Sequence, residues 1–98
     1  MRIRAYGHWY DTELKIGKYP NGQTFVALIE EGCPFGKLTF ADENIKLAED
    51  EILVKTWSEN KDWYEQVLEH DAFTATDRLI SLGFDVVGEV WKLDRSKL

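Results

Sequence analysis

The strongest constraint on the fold is a tight-turn signal between two strand-like segments. Residues 13–18 alternate polar and apolar side chains, as a strand with one solvent-exposed face does. The sequence Tyr19-Pro20-Asn21-Gly22 follows, and Asn-Gly accepts the positive φ angles that a tight hairpin requires. Residues 24–29 are nearly all apolar, which favours a strand covered on both faces. This part of the chain is therefore predicted to be an antiparallel hairpin.

The other segments predict a larger antiparallel sheet. Residues 30–36 hold two glycines and a proline, which indicates a second turn. Residues 51–57 are rich in β-branched and aromatic side chains, which favour a strand. Residues 74–82 fit a short helix or a strand equally well. The predicted strands cover residues 2–6, 13–19, 24–30, 37–40, 51–57 and 84–93.

One helix is predicted over residues 59–70. The Ser58 hydroxyl can accept hydrogen bonds from the free amides of a first helical turn, and Glu59 favours the positive end of a helix dipole. The fold class that follows is α+β, an antiparallel β-sheet meander with one main α-helix packed on it, in a single domain over residues 1–98. The apolar stripe expected to face the sheet consists of Trp63, Tyr64, Val67 and Leu68.

The composition favours a cytoplasmic protein. Cys33 is the only cysteine, so no internal disulfide can form, as is usual in a reducing compartment. The longest apolar run, residues 25–29, is too short to span a bilayer. Residues 1–8 lack the apolar core of a signal peptide.

The charge is negative and unevenly distributed. The chain carries 12 basic and 18 acidic residues, a formal net charge of −6, which argues against direct binding of nucleic acid. Ten of the acidic residues and three lysines lie in residues 42–71, which carry −7, while the rest of the chain carries +1. We name residues 42–71 the acidic block. Such a concentration of charge indicates an interaction surface or, alternatively, an ordinary solvated face.

Seven carboxylates of the acidic block are the candidate partner-binding residues. Asp62, Glu65 and Glu69 are spaced by three and four, so the predicted helix would stack them on one exposed face. A surface of this kind can imitate the charge pattern of nucleic acid or dock on a basic partner. The seven residues are Glu49, Asp50, Glu51, Glu59, Asp62, Glu65 and Glu69.

A second candidate site is the aromatic run His8, Trp9 and Tyr10, which could stack on a base or another ligand ring, or cap a small core. No metal site is predicted, because His8, His70 and Cys33 are scattered without the spacing that metal sites use. No cofactor motif is present, and nothing in the sequence pairs two carboxylates across a cleft. The chain is therefore predicted not to be an enzyme.

Several segments together resemble a known family. They are residues 51–60 (EILVKTWSEN), 76–84 (TDRLISLGF) and 90–93 (VWKL), with the hairpin upstream. The resemblance extends over residues 14–93. The family is a small group of domains of unknown function carried by bacterial phages, plasmids and integrative elements, and it offers no established catalytic residues.

The resemblance implies a genomic setting in which small acidic proteins block host defence. The leading prediction is a non-enzymatic, anti-CRISPR-type accessory protein in the cytoplasm of a bacterial host. It would inhibit a CRISPR effector or another nucleic-acid-handling complex by docking its acidic surface on a basic nucleic-acid groove. The alternative is a small ligand- or nucleotide-binding module that uses the aromatic cluster near Trp9. A continuous negative face favours the inhibitor, and a deep aromatic-lined pocket favours the ligand module.

Overall fold

The computed structural model describes residues 1–98 as eight strands and three short 3-10 helices. The 3-10 helices span Ser58–Asp62, Tyr64–Glu69 and Arg95–Lys97. The strands are β1 (Arg2–Ala5), β2 (His8–Asp11), β3 (Glu13–Lys18), β4 (Thr24–Glu30), β5 (Cys33–Lys37), β6 (Glu51–Val54), β7 (Phe73–Ser81) and β8 (Val87–Leu93).

The strands form three antiparallel sheets, with the orders β1-β2, β3-β4-β5 and β6-β8-β7. Residues 38–40 connect the two three-stranded sheets. The Leu38 amide donates to the Val26 carbonyl at 2.9 Å, and the Leu38 carbonyl accepts from the Lys55 amide at 2.8 Å. Strands β6 and β7 flank β8 and run parallel to each other. Residues 55–72, which we name the crossover segment, link these two strands.

The hairpin predicted around Asn21 and Gly22 is confirmed, because β3 pairs with β4 from Glu13 opposite Ile29 to Lys18 opposite Thr24. Gly22 has a φ of +88°, the conformation for which glycine is suited. The Asn21 side chain stabilises the turn by accepting from the Gln23 amide at 3.0 Å.

The predicted α+β fold class is wrong, because no helix of the chain is longer than six residues. Ser58 has a φ of +61° and does not cap a helix through its side chain. Buried Asn60 holds this region in place by donating to the carbonyls of Lys37 at 2.6 Å and Lys55 at 3.1 Å. Buried Trp63 then interrupts the helical run with a φ of −137°. Fixing these two side chains in the core leaves two short 3-10 turns in place of one α-helix.

The strands differ from the prediction at one assigned strand and one missed strand, and the structure also decides one segment that the sequence left open. The predicted strand over residues 37–40 lies earlier, as β5, and the turn before it is confined to Glu31 and Gly32. Pro34 is tolerated because β5 is an edge strand. β2 has no predicted counterpart, although Tyr6 and Gly7, both at positive φ, form the two-residue turn typical of a hairpin. The ambiguous residues 74–82 are largely strand, within β7.

The core is one cluster of thirteen buried residues between the sheets. Its largest members are Trp63, 1% exposed, and Trp91, fully buried. The Trp63 ring meets Phe35 at a centroid distance of 5.6 Å. Val67 belongs to the same cluster, as predicted, whereas Leu68 is only partly buried at its margin.

Replacing Gly36 with alanine is expected to destabilise the protein by about 1–3 kcal/mol, the usual cost of overpacking. A Cβ atom at this position would lie 2.7 Å from Cζ2 of Trp63, a side chain that has no room to retreat. Gly17→Ala is the matched control, because its Cβ would meet Phe25 at an ordinary 3.7 Å. Urea titration of both variants measures the difference, and equal stabilities would contradict the close packing at Gly36.

Candidate partner-binding site

The outer face of the β1–β2 hairpin presents a tryptophan between two arginines. Trp9 pairs with Arg4 across the hairpin and is 53% exposed. The guanidinium carbons of Arg2 and Arg4 lie 4.8 and 5.5 Å from the centre of the Trp9 ring. Asp11 approaches Arg2 at 3.4 Å. Trp9 is therefore a surface side chain held by cation–π contacts, and it does not cap the core.

The predicted run of three aromatic residues is divided between the two faces of the hairpin. Tyr10 pairs with buried Ile3 and packs on Phe35 at a centroid distance of 5.0 Å, so it belongs to the margin of the core. His8 is exposed and touches Tyr10 edge-on, with ring centroids 6.4 Å apart. Only Trp9 of the three lies beside the arginines, and the structure does not bring the run together as one platform.

Gln66 ties this hairpin to the acidic block. The Arg4 amide donates to Oε1 of Gln66 at 2.8 Å, and Nε2 of Gln66 donates back to the Arg4 carbonyl at 2.7 Å. The same nitrogen lies 3.3 Å from the Asp62 carbonyl oxygen. The Tyr6 hydroxyl donates to the Glu59 carbonyl at 3.3 Å. The two candidate sites of the sequence thus adjoin, and we name these Gln66 and Tyr6 contacts the junction.

Replacing Gln66 with alanine is expected to speed hydrogen exchange at the Arg4 amide by about fivefold, because one net hydrogen bond contributes about 1 kcal/mol. Amide exchange followed by NMR measures the effect. The amides of β4 serve as the internal control and should be unchanged. If the Arg4 amide exchanged at the wild-type rate, the junction would not hold the hairpin.

The crossover segment carries five exposed acidic residues, and four of them are candidate partner-binding residues, namely Glu59, Asp62, Glu65 and Glu69; the fifth is Asp71. The Glu59 carboxylate accepts from Nζ of Lys55 at 2.8 Å, and this hydrogen bond, with a smaller one from Ser58, lowers the pKa of Glu59 from 4.5 to about 2. Asp62, Glu65 and Glu69 form no salt bridge within the chain. These three carboxylates are therefore available to a partner.

The remaining three candidate residues lie at the N-terminal end of β6, whereas the crossover segment follows the C-terminal end of this short strand. Glu49 and Asp50 are exposed. Glu51 accepts from the Ala48 amide at 2.8 Å and lies 3.9 Å from Arg78, so its carboxylate is already used within the chain. The seven predicted residues thus divide between two places, and the crossover segment carries the larger share.

A hydrogen-bonded network flanks the crossover segment on the side of β8. The Tyr64 hydroxyl donates to Glu65 at 3.1 Å and lies 3.4 Å from Glu89, which also accepts from the Trp91 indole at 2.9 Å. Burial, followed by the charge of Glu89, raises the pKa of Tyr64 to about 12. Tyr64 therefore remains a hydrogen-bond donor near neutral pH and fixes the position of Glu65.

The cavities of the molecule do not coincide with Trp9. None of the five principal cavities is lined by His8, Trp9 or Tyr10. No three His, Cys, Asp or Glu side chains are grouped in a way that could hold a metal ion. None of the helices combines the length and apolar character needed to cross a bilayer. Because no principal cavity lies at Trp9, the surface there suits a large partner better than a small ligand.

Comparison with known proteins gave no match: no protein-family model, no curated protein and no solved structure corresponds to this chain. The resemblance to a family of mobile genetic elements therefore stays a prediction that rests on its quoted segments.

Proposed function

We propose that the chain is a non-enzymatic accessory protein of a bacterial phage, plasmid or integrative element that binds and inhibits a host defence complex. It acts in the cytoplasm of the host cell. Its target is a CRISPR effector or another nucleic-acid-handling enzyme, and the acidic crossover segment docks on the basic groove in which that enzyme holds nucleic acid. The protein works by occupying the groove, so it needs neither a cofactor nor a catalytic group.

The observation that carries this proposal is the junction, whose hydrogen bonds join the hairpin with its exposed aromatic side chains to the crossover segment, on which three carboxylates form no salt bridge. Tyr6 and Trp9 are 57% and 53% exposed, and Tyr6 reaches the backbone of Glu59. Tryptophan, tyrosine and arginine are the residues that most often dominate binding energy at protein interfaces. Clustered carboxylates steer a basic partner and select against others. The combination supports docking on a protein surface that is basic and has apolar recesses.

A small-ligand or nucleotide-binding module around Trp9 is less well supported. Trp9 is exposed and accompanied by two arginines, which would suit an anionic ring. However, none of the five principal cavities is lined by Trp9, and binding sites for small ligands bury most of the ligand surface.

Affinity capture from a bacterial lysate tests the proposal. The bait is the wild-type chain, the variant Asp62→Lys/Glu65→Lys/Glu69→Lys, or a control with Glu13→Lys/Glu31→Lys/Asp77→Lys, three exposed acidic residues outside the acidic block. We expect wild type and control to enrich the same nucleic-acid-handling complex in quantitative mass spectrometry, and the first variant to lose it. Nucleic acid added in excess should displace the complex. Equal enrichment by all three baits would refute the proposal.

A further inference from the structure

A groove of about 600 Å³ lies between the crossover segment and the turn that joins β7 to β8. Two aromatic residues, Trp57 and Tyr64, line it together with Val86 and Val87. The charged lining residues are Glu65, Asp85 and Lys61, with Thr56 and Ser58 completing the wall. It has the largest volume of the principal cavities.

The turn at the rim of the groove has an unusual backbone. Gly83, Phe84 and Asp85 have φ angles of +84°, +52° and +61° in succession. A bulky residue such as phenylalanine rarely adopts a positive φ, and strain of this kind is commonly found at binding sites. The result here is that Phe84 projects fully into solvent while Asp85 lines the groove.

The aromatic and acidic lining is suited to a cationic side chain. Glu65 is positioned by the hydrogen bond from Tyr64 at 3.1 Å. The Trp57 ring is held in place by an edge-on contact with Phe40, with ring centroids 5.2 Å apart. The chain already places a cation of its own near Trp57, since Nζ of Lys55 lies 6.0 Å from the ring centre. Aromatic faces attract cations, and guanidinium groups stack on them while bonding to carboxylates.

We propose that this groove receives an arginine side chain from the basic surface of the partner protein. The proposal rests on the proposed function and adds to it a defined receptor within the docking surface. The guanidinium stacks on Trp57 or Tyr64 and bonds to Glu65 and Asp85, and exposed Phe84 contacts apolar atoms around the arginine. Charge complementarity identifies this occupant, because the two carboxylates of the lining outnumber its one lysine, and the free carboxylates of the crossover segment would repel an acidic segment.

The test is an NMR titration of the full chain with the peptide acetyl-Gly-Arg-Gly-Arg-Gly-amide. Its control is the same peptide with citrulline in place of arginine, which keeps the shape and removes the charge. We expect the arginine peptide, and not the citrulline peptide, to shift the indole resonance of Trp57 and the amide resonances of Val86 and Val87. The variant Glu65→Gln/Asp85→Asn should bind it at least about fivefold more weakly. The control Glu13→Gln/Asp77→Asn makes the same chemical change at two exposed residues outside the groove and outside the acidic block, and should lose less than about twofold.

Equal binding of the citrulline peptide, equal losses in both variants, or shifts confined to other surfaces would overturn the proposal of an arginine receptor. Thermal unfolding of each variant shows that it is folded. If the arginine peptide binds the groove but the lysate yields no nucleic-acid-handling complex, the receptor stands and the proposed function fails. If the complex is captured but Glu65→Gln/Asp85→Asn binds the arginine peptide as tightly as the wild-type chain, the proposed function stands and the arginine receptor fails.

Discussion

Replacing Trp63 with alanine is expected to lower the free energy of unfolding by about 3–5 kcal/mol, the range seen when a large buried aromatic side chain is removed. Trp63 is 1% exposed, its ring lies 5.6 Å from that of Phe35, and its Cζ2 atom lies 2.7 Å from a Cβ position at Gly36, so it packs tightly against two successive residues of β5. A domain of this size has a total stability of only about 5–15 kcal/mol, so the loss removes a large share of it.

The matched control is Trp9→Ala, which makes the same change at an exposed site. Trp9 contributes mainly its contacts with Arg2 and Arg4, so we expect a loss of about 1 kcal/mol or less. Urea titration followed by circular dichroism gives both values. Equal losses in the two variants would contradict the placement of Trp63 at the centre of the core.

The sequence predicted those parts of the fold that depend on local chemistry. Alternation and the Asn-Gly turn identified β3 and β4, because a pleated strand and a tight turn impose their own pattern on the residues. β5 was misplaced, because Gly36 and Pro34 are typical of turns. Gly36 is a glycine here because Trp63 leaves no room for a side chain, and that contact comes from a distant part of the chain.

The predicted helix failed for a related reason. Residues 59–70 have helical spacing, but Asn60 donates to Lys37 and Lys55, and these tertiary hydrogen bonds override the local preference. Regular spacing of apolar side chains does not separate an α-helix from two 3-10 turns that bury the same residues.

The candidate site was predicted in part. The concentration of charge identified Asp62, Glu65 and Glu69, which the structure leaves exposed. Gln66 and Tyr6 carried no signal, because a glutamine that binds the backbone of a strand far along the chain has no local pattern. The groove at Trp57 depends on a turn whose positive φ angles at Phe84 and Asp85 the residue types do not suggest.

Reversing the charge of Asp62, Glu65 and Glu69 to lysine is expected to weaken binding to the partner by at least about 100-fold, because like charges brought together at an interface cost several kcal/mol. The three side chains are exposed and form no internal salt bridge, so the fold should be retained. Binding by the wild-type chain should itself weaken as salt rises, since the screening length falls from about 10 Å at 0.1 M to about 3 Å at 1 M.

The most direct measurement is a calorimetric titration, at low salt, of the captured complex with the wild-type chain, this variant and the control Glu13→Lys/Glu31→Lys/Asp77→Lys. Docking through the crossover segment predicts that the variant loses at least about 100-fold in affinity, while the control, with the same change in net charge, loses no more than about threefold. If the variant bound as tightly as the wild-type chain, or if variant and control lost affinity equally, the crossover segment would not be the docking surface.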